Sequence, residues 1–214
     1  MAIEIIYEDD AILVVNKPAG IVVHPAPGYE TGTLVDELLK ICPEMRGVGS
    51  RGHDGVVHRL DRDTGGVMVF AKTREAYLAL RKTFESHVKV EKTYLAVTRG
   101  APRPPKGTIE NFLAKRGSKM AVAAEGQLAV THYEVLGRHG GRALVEFKIE
   151  TGRMHQIRVH AASLGTPVVG DVIYGGAPKG SRLLLHAVEL AFPHPSTGRR
   201  VVFAAPPPPE IVYA

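Results

Sequence analysis

The sequence has no tryptophan and only 6% aromatic residues, which argues against recognition of a ligand through a broad aromatic platform. Its one cysteine, Cys42, stands between Ile41 and Pro43. A lone thiol excludes an internal disulfide and reads as a small buried hydrophobe. No apolar run approaches the roughly 20 residues that cross a bilayer. The opening Met1 to Asp10 has neither a basic lead nor a long apolar stretch, so no signal peptide is expected there. No segment repeats at a solenoid period. These shortages lead to the expectation of a soluble, cytoplasmic protein with no membrane association.

What is present fits a globular chain. With 214 residues and 44% hydrophobic content it can bury a sizeable core, and a single domain over 1–214 is expected. Fifteen prolines and 23 glycines imply many turns and favour a sheet-rich fold over a bundle. Lys and Arg outnumber Asp and Glu by 27 to 22, a net +5 that suits a polyanion without identifying one. Placement says more. Arg46 leads into Arg51, His53, His58, Arg59 and Arg62, and Arg81, Lys82, Lys89 and Lys92 follow. If both groups line one cleft they form a phosphate-backbone footprint; scattered surface charge is the plainer alternative.

Along the chain, Ala11 to Val15 reads as a strand, and Asn16 to Gly20 as a turn before an extended Ile21 to His24. Thr33 and Asp36 form a capping box for a helix to about Lys40 that ends before Pro43. Residues 46–55 read as a loop, and Val67 to Ala71 as a buried strand. Thr73 caps a helix to about Ser86 with a Tyr77, Leu80, Phe84 stripe. Strands follow at Val90 to Thr98, Val130 to Leu136 and Ala143 to Ile149, the last two joined as a hairpin by Gly137 to Gly141. Helical pattern runs from His155 to Leu164, with Gly165 as its terminator. Two short strands lie within Leu183 to Phe203, on either side of Pro193 to Gly198.

Two dense polar segments could carry chemistry. In His58-Arg59-Leu60-Asp61-Arg62-Asp63-Thr64-Gly65-Gly66 an aspartate lies between two arginines and beside an apolar strand. A carboxylate so placed stays ionised and aimed, as a nucleophile or charge stabiliser needs to be; the bland reading is a solvated turn. In Thr151-Gly152-Arg153-Met154-His155-Gln156-Ile157-Arg158-Val159-His160, a helix would put His155 and Arg158 on one face. Arginines at a helix start suit phosphate, and equally a solvated cap. Tyr94, in Glu91 to Ala96, is either a core tyrosine or the phenol of a base-binding pocket.

His-Arg-Leu-Asp followed two residues on by Thr-Gly-Gly resembles the signature of the RluA family of pseudouridine synthases, His-Arg-Leu-Asp-x-x-Thr-Ser-Gly, with Gly65 in place of the serine. The second segment resembles that family's Thr-Gly-Arg-Thr-His-Gln-Ile-Arg-Val-His, with Met154 as the visible substitution. Asn16 to Gly20, Val23-His24-Pro25, Gly165 to Gly175, Leu183 to Ala187 and Phe192 to Pro195 match the family's flanks in order. The resemblance implies a pseudouridine-synthase-like α+β fold, with a mixed, mainly antiparallel central sheet, flanking helices and a catalytic cleft. It implies isomerisation of uridine in RNA, ribosomal RNA of the large subunit being favoured and transfer RNA the alternative. It makes Asp61 the nucleophile, Arg158 its basic partner and Tyr94 the residue that stacks on the base. Substrate-binding positions follow at His58, Arg59, Arg62, Thr64, Arg153, His155 and Gln156, with Arg59 supporting the extruded nucleotide. A monomer that needs neither cofactor nor metal is expected, and no accessory S4-like module ahead of the catalytic part.

Two rival readings use the same residues. His53, Asp54, His58, Asp61 and Asp63 carry donors for a divalent ion in phosphoester hydrolysis, although the neighbouring arginines compete for those carboxylates. A non-catalytic RNA-binding protein is the other.

Overall fold

The computed structural model describes residues 3–50, 52–86, 89–117 and 119–212, so Arg51 of the basic cluster lies outside the described residues. In chain order the elements are β1 (Glu4–Glu8), β2 (Ile12–Lys17), α1 (Leu34–Ile41), β3 (Gly65–Ala71), α2 (Arg74–Ser86), β4 (Glu91–Arg99), β5 (Lys106–Arg116), β6 (Lys119–Ala123), β7 (Gln127–His139), β8 (Arg142–Ile149), α3 (Gln156–Ser163), β9 (Leu185–Pro193), β10 (Arg200–Ala204) and α4 (Pro209–Val212). The chain divides into two units. The first holds the residues up to Val90 and Val188–Pro206; the second holds Glu91–Ala187 and the residues from Pro207 on.

In the first unit the strand order is β1-β2-β3-β9, with β10 beside β9. β2 is antiparallel to β1 and β3, with Val14 opposite Val69 and Lys17 opposite Gly66. All seven residues of β3 are buried, as its unbroken apolar run requires. α1 begins at the expected capping box: Thr33 Oγ1 accepts from the Asp36 N–H at 3.2 Å, and the Asp36 carboxylate accepts from the Thr33 N–H at 2.9 Å. α2 starts where Thr73 Oγ1 accepts from the Ala76 N–H at 3.1 Å, and it buries Ala76, Leu80 and Phe84. Tyr77, placed on that stripe from the sequence, is only half-buried. Cys42 is buried, and burial pushes its thiol up to about 12.

In the second unit the order is β4-β8-β7-β5-β6, and the ladders within it are antiparallel. α3 contributes Val159 to a core with Leu113, Met120 and Ala129, against which Tyr174 packs. The architecture is the mixed, mostly antiparallel α+β arrangement that the resemblance implied.

Several expectations need correcting. The sequence reading omitted β1, β5 and β6, strands that bury few of their residues and so carry no long apolar run to mark them. β7 runs beyond Leu136 through the glycine at 137, and the tight turn falls at Gly140 and Gly141. Ile21 to His24 joins no named strand; the Val22 and Val23 carbonyls accept instead from Leu34 and Val35 at the start of α1. α3 starts at Gln156, with His155 outside it as a left-handed cap at φ +55. The spacing-three pairing of His155 with Arg158 on one helical face is thereby lost.

Candidate active site

Five of the expected site residues belong to the first unit. The segment from His58 to Thr64 crosses to β3 through a turn closed by the Thr64 N–H on the Asp61 carbonyl at 3.2 Å. Asp61 is half-buried, Arg59 and Arg62 are exposed, and Thr64 is buried. Gly66, the second residue of β3, has φ +122, a backbone conformation that glycine alone adopts without strain, so the second glycine of the motif is the one its path requires.

A residue with no role in the sequence reading fixes this turn. Lys17 is fully buried at the end of β2, and its Nζ donates to the carbonyls of Pro18 at 3.0 Å, Arg62 at 3.0 Å and Thr64 at 2.9 Å. Two of its three hydrogens thus bind the backbone just after Asp61, and the third holds the turn that follows β2. Gly20 N–H adds a bond to the Arg62 carbonyl at 2.8 Å. Burial lowers the Lys17 ammonium to about 8, against the opposing pull of the Asp63 and Asp61 charges.

Arg62 makes a bidentate pair with the neighbouring Asp63, from Nε at 2.9 Å and NH2 at 3.0 Å, while NH1 donates to the Tyr29 hydroxyl at 2.5 Å. The Asp63 charge raises Arg62 above its usual range. Both partners are well exposed, so an incoming anion can displace the carboxylate at little cost. His58 serves the scaffold: its Nε2 accepts from the Val69 N–H at 3.1 Å, and its ring stacks on Phe84 at 4.7 Å.

The other five residues belong to the second unit. Arg158, on α3, grips Asp171 through Nε to Oδ2 at 2.7 Å and NH2 to Oδ1 at 3.0 Å, with both side chains buried. Asp171 Oδ1 also accepts from the N–H groups of Ile173 at 2.8 Å and Tyr174 at 2.9 Å. Burial pushes the Asp171 carboxyl up, but the Arg158 guanidinium and these N–H groups outweigh it and hold the carboxyl below its usual range. The loop comes this close only because residue 170 is glycine: at φ +80, a Cβ there would overlap the Arg182 carbonyl. Tyr174 lies with its ring 5.3 Å from the Arg158 Cζ. Its hydroxyl accepts from the Met120 N–H at 3.0 Å and meets His155 Nδ1 at 2.8 Å.

Gln156 is buried with four bonds: Oε1 accepts from Thr151 Oγ1 and the Arg153 N–H, and Nε2 donates to the Val130 carbonyl and Thr131 Oγ1. It therefore ties the Thr151 to Arg153 turn to β7. Arg153 donates from Nε to the Leu128 carbonyl at 2.9 Å. Tyr94 is 9% exposed on β4, opposite Phe147. Lys92, two residues earlier and so on the same strand face, is also buried; burial and the Arg153 charge lower it to about 8. The basic run ending at Lys92 is therefore not one open surface, and Arg81 within it is paired to Glu85.

Lys17, Asp171 and Tyr174 are the residues that sequence reasoning missed. One signal was available: Asp171 is the sole acidic residue between Glu150 and Glu189, so a buried Arg158 had one nearby carboxylate to claim. The rival metal set of His53, Asp54, His58, Asp61 and Asp63 is not assembled. Among the described residues, the three-ligand grouping is Glu8, Cys42 and Glu44, whose carboxylates Lys72 already bridges at 2.7 and 3.1 Å.

Residues 11–163 match the family described as RNA pseudouridylate synthase. The chain is 43% identical over 230 residues to the ribosomal large subunit pseudouridine synthase D of Neisseria meningitidis serogroup A, covering all of this chain and 60% of that protein. It is 42% identical to the protein of the same name from Pseudomonas aeruginosa, over 99% of this chain and 70% of that one. Among solved structures, human RNA pseudouridylate synthase domain containing 1 superposes with a TM-score of 0.77 at 28% identity, covering 96% of this chain and 83% of that one. Domain containing 4 gives 0.76 at 26% identity, with coverages of 98% and 90%.

Proposed function

The chain belongs to the RNA pseudouridylate synthase family, and on that premise we propose that it isomerises uridine to pseudouridine in large-subunit ribosomal RNA with Asp61 as its nucleophile. The substrate follows from relatives named for the large ribosomal subunit, of which this chain spans 60% and 70% of the length. The observation that carries the chemistry is the Asp61 turn: a half-buried carboxylate whose flanking backbone is fixed by a fully buried ammonium. Such fixing keeps an oxygen aimed with little reorganisation.

The reaction breaks the bond from N1 to C1′ of the target uridine, turns the detached uracil and joins C5 to C1′. The C5 proton leaves and N1 gains one, so the product is an isomer. Asp61 either attacks C1′ or stabilises the charge that develops there, with a glycal-like route as the alternative. Arg158 has the task of charge support for Asp61, and Asp171 fixes the plane of its guanidinium. Tyr94 stacks on the turning uracil, Arg59 supports the extruded nucleotide, and Arg62 and Arg153 contact phosphates. Gln156, His58, Thr64 and His155 act through the backbone and side chains they hold.

The test is nucleotide-resolution mapping of pseudouridine after incubation with unmodified large-subunit ribosomal RNA and, separately, pooled transfer RNA. A new site in the ribosomal RNA supports the reading. A site confined to transfer RNA overturns the substrate, and no site in either overturns the activity.

A further inference from the structure

His24, in the Val23-His24-Pro25 motif, has no task in the reaction above. Its segment is anchored on both sides: the Val22 and Val23 carbonyls accept from Leu34 and Val35 N–H at 2.8 and 3.0 Å, and Ala26 and Tyr29 exchange backbone bonds at 3.1 and 2.8 Å. His53 sits in a second anchored loop. Its N–H donates to the Ser50 carbonyl at 2.9 Å, and Asp54 Oδ1 accepts from the Gly47 N–H at 2.6 Å. These anchors bring the two imidazole rings to a centroid distance of 4.1 Å, tilted by 43°.

We propose that His24, His53 and Arg59 form a site for a backbone phosphate of the RNA substrate, and that the site takes up a proton as it fills. The inference rests on reading the chain as an RNA-modifying enzyme.

The chemistry of His24 carries it. Nδ1 lies 3.0 Å from the Pro25 carbonyl, which can only accept, so Nδ1 bears the hydrogen. The neutral ring then offers Nε2 as an acceptor, which repels a phosphate oxygen. Protonated, Nε2 becomes a donor. Burial opposes that charge, and so do His53 from the 46–55 loop and Arg59 from the segment leading to Asp61. The Pro25 carbonyl, on His24's own segment, favours it. A proton on His24 therefore meets opposition from its neighbours until an anion lies among them. A phosphate turns each repulsion into a charge-assisted contact and draws a proton onto His24.

The test measures affinity of the full chain for an unmodified large-subunit ribosomal RNA fragment between about pH 5.5 and about pH 8, for the unaltered protein, His24→Gln and His53→Gln. The unaltered protein should bind several-fold to about tenfold tighter at the acid end. His24→Gln should flatten that dependence and lower the salt slope by about one. A His24→Gln profile that parallels the unaltered one overturns the site. Because either variant can misfold, ring NMR of the unaltered protein is titrated with inorganic phosphate in parallel. A rise in the His24 pKa is expected, and no rise overturns the proposal. Pseudouridine is mapped in the same samples: product with pH-independent binding sinks this site alone, whereas pH-linked binding that depends on His24, without product, supports the site and sinks the enzymatic reading.

Discussion

Arg158 and Asp171 are joined by two parallel hydrogen bonds, at 2.7 and 3.0 Å, with side chains 5% and 0% exposed. Removing one member leaves the other as a buried charge. Asp171→Ala should therefore destabilise the protein by about 3–5 kcal/mol, measured by denaturant unfolding. Asp171→Asn, which keeps the shape, should cost less stability and still slow product formation, because an amide no longer fixes both guanidinium nitrogens. Asp171→Asn at full rate would remove Asp171 from the account.

Glycine at 170 is the steric condition for that pair. Gly170→Ala sets a Cβ against the Arg182 carbonyl at a positive φ. A loss of at least about 2 kcal/mol is expected from unfolding curves, with product formation falling alongside it.

Lys17 gives a pH dependence whose sign can be worked out. Its folded pKa of about 8 lies below the ordinary 10.5. Below about 8 both folded and unfolded chains hold the proton, so its contribution to stability is constant there. Between about 8 and 10.5 the unfolded chain binds more protons, and this contribution rises with pH. The stability of the unaltered protein relative to Lys17→Met should thus grow across that window, as equilibrium unfolding at a series of pH values would register. Product formation should move the other way above about pH 8, since a neutral amine has two hydrogens for three carbonyls.

Gln156→Leu removes four buried bonds and leaves a shorter apolar side chain in their place. Partners left unsatisfied make the expected cost about 3 kcal/mol, read as a lowered unfolding midpoint. By contrast Arg62→Ala, at an exposed pair, should change stability by less than about 1 kcal/mol and mainly weaken salt-sensitive RNA binding.

Elements whose stabilising signal is local were legible in the sequence. The Thr33 capping box, the Thr73 cap and the apolar run of β3 are each set by residues within a few positions. β5 and β6 were not, because half of each strand faces solvent and the pairing of β5 with β7 is a long-range choice. The same division runs through the site. Asp61 and Arg158 stand out by motif, whereas Lys17 reaches the carbonyl of Thr64, 47 positions on. Asp171 reaches Arg158 across a loop whose course depends on one glycine. His155 was misread because its left-handed backbone takes it off the helix that the periodicity extends through it.

The most direct test of the account is Asp61→Asn, compared with the unaltered protein for pseudouridine formation in ribosomal RNA and for affinity toward the same RNA. The account predicts that product disappears while affinity falls only modestly, since the exchange removes a nucleophilic oxygen and leaves the phosphate contacts in place. Retained turnover in Asp61→Asn would contradict it.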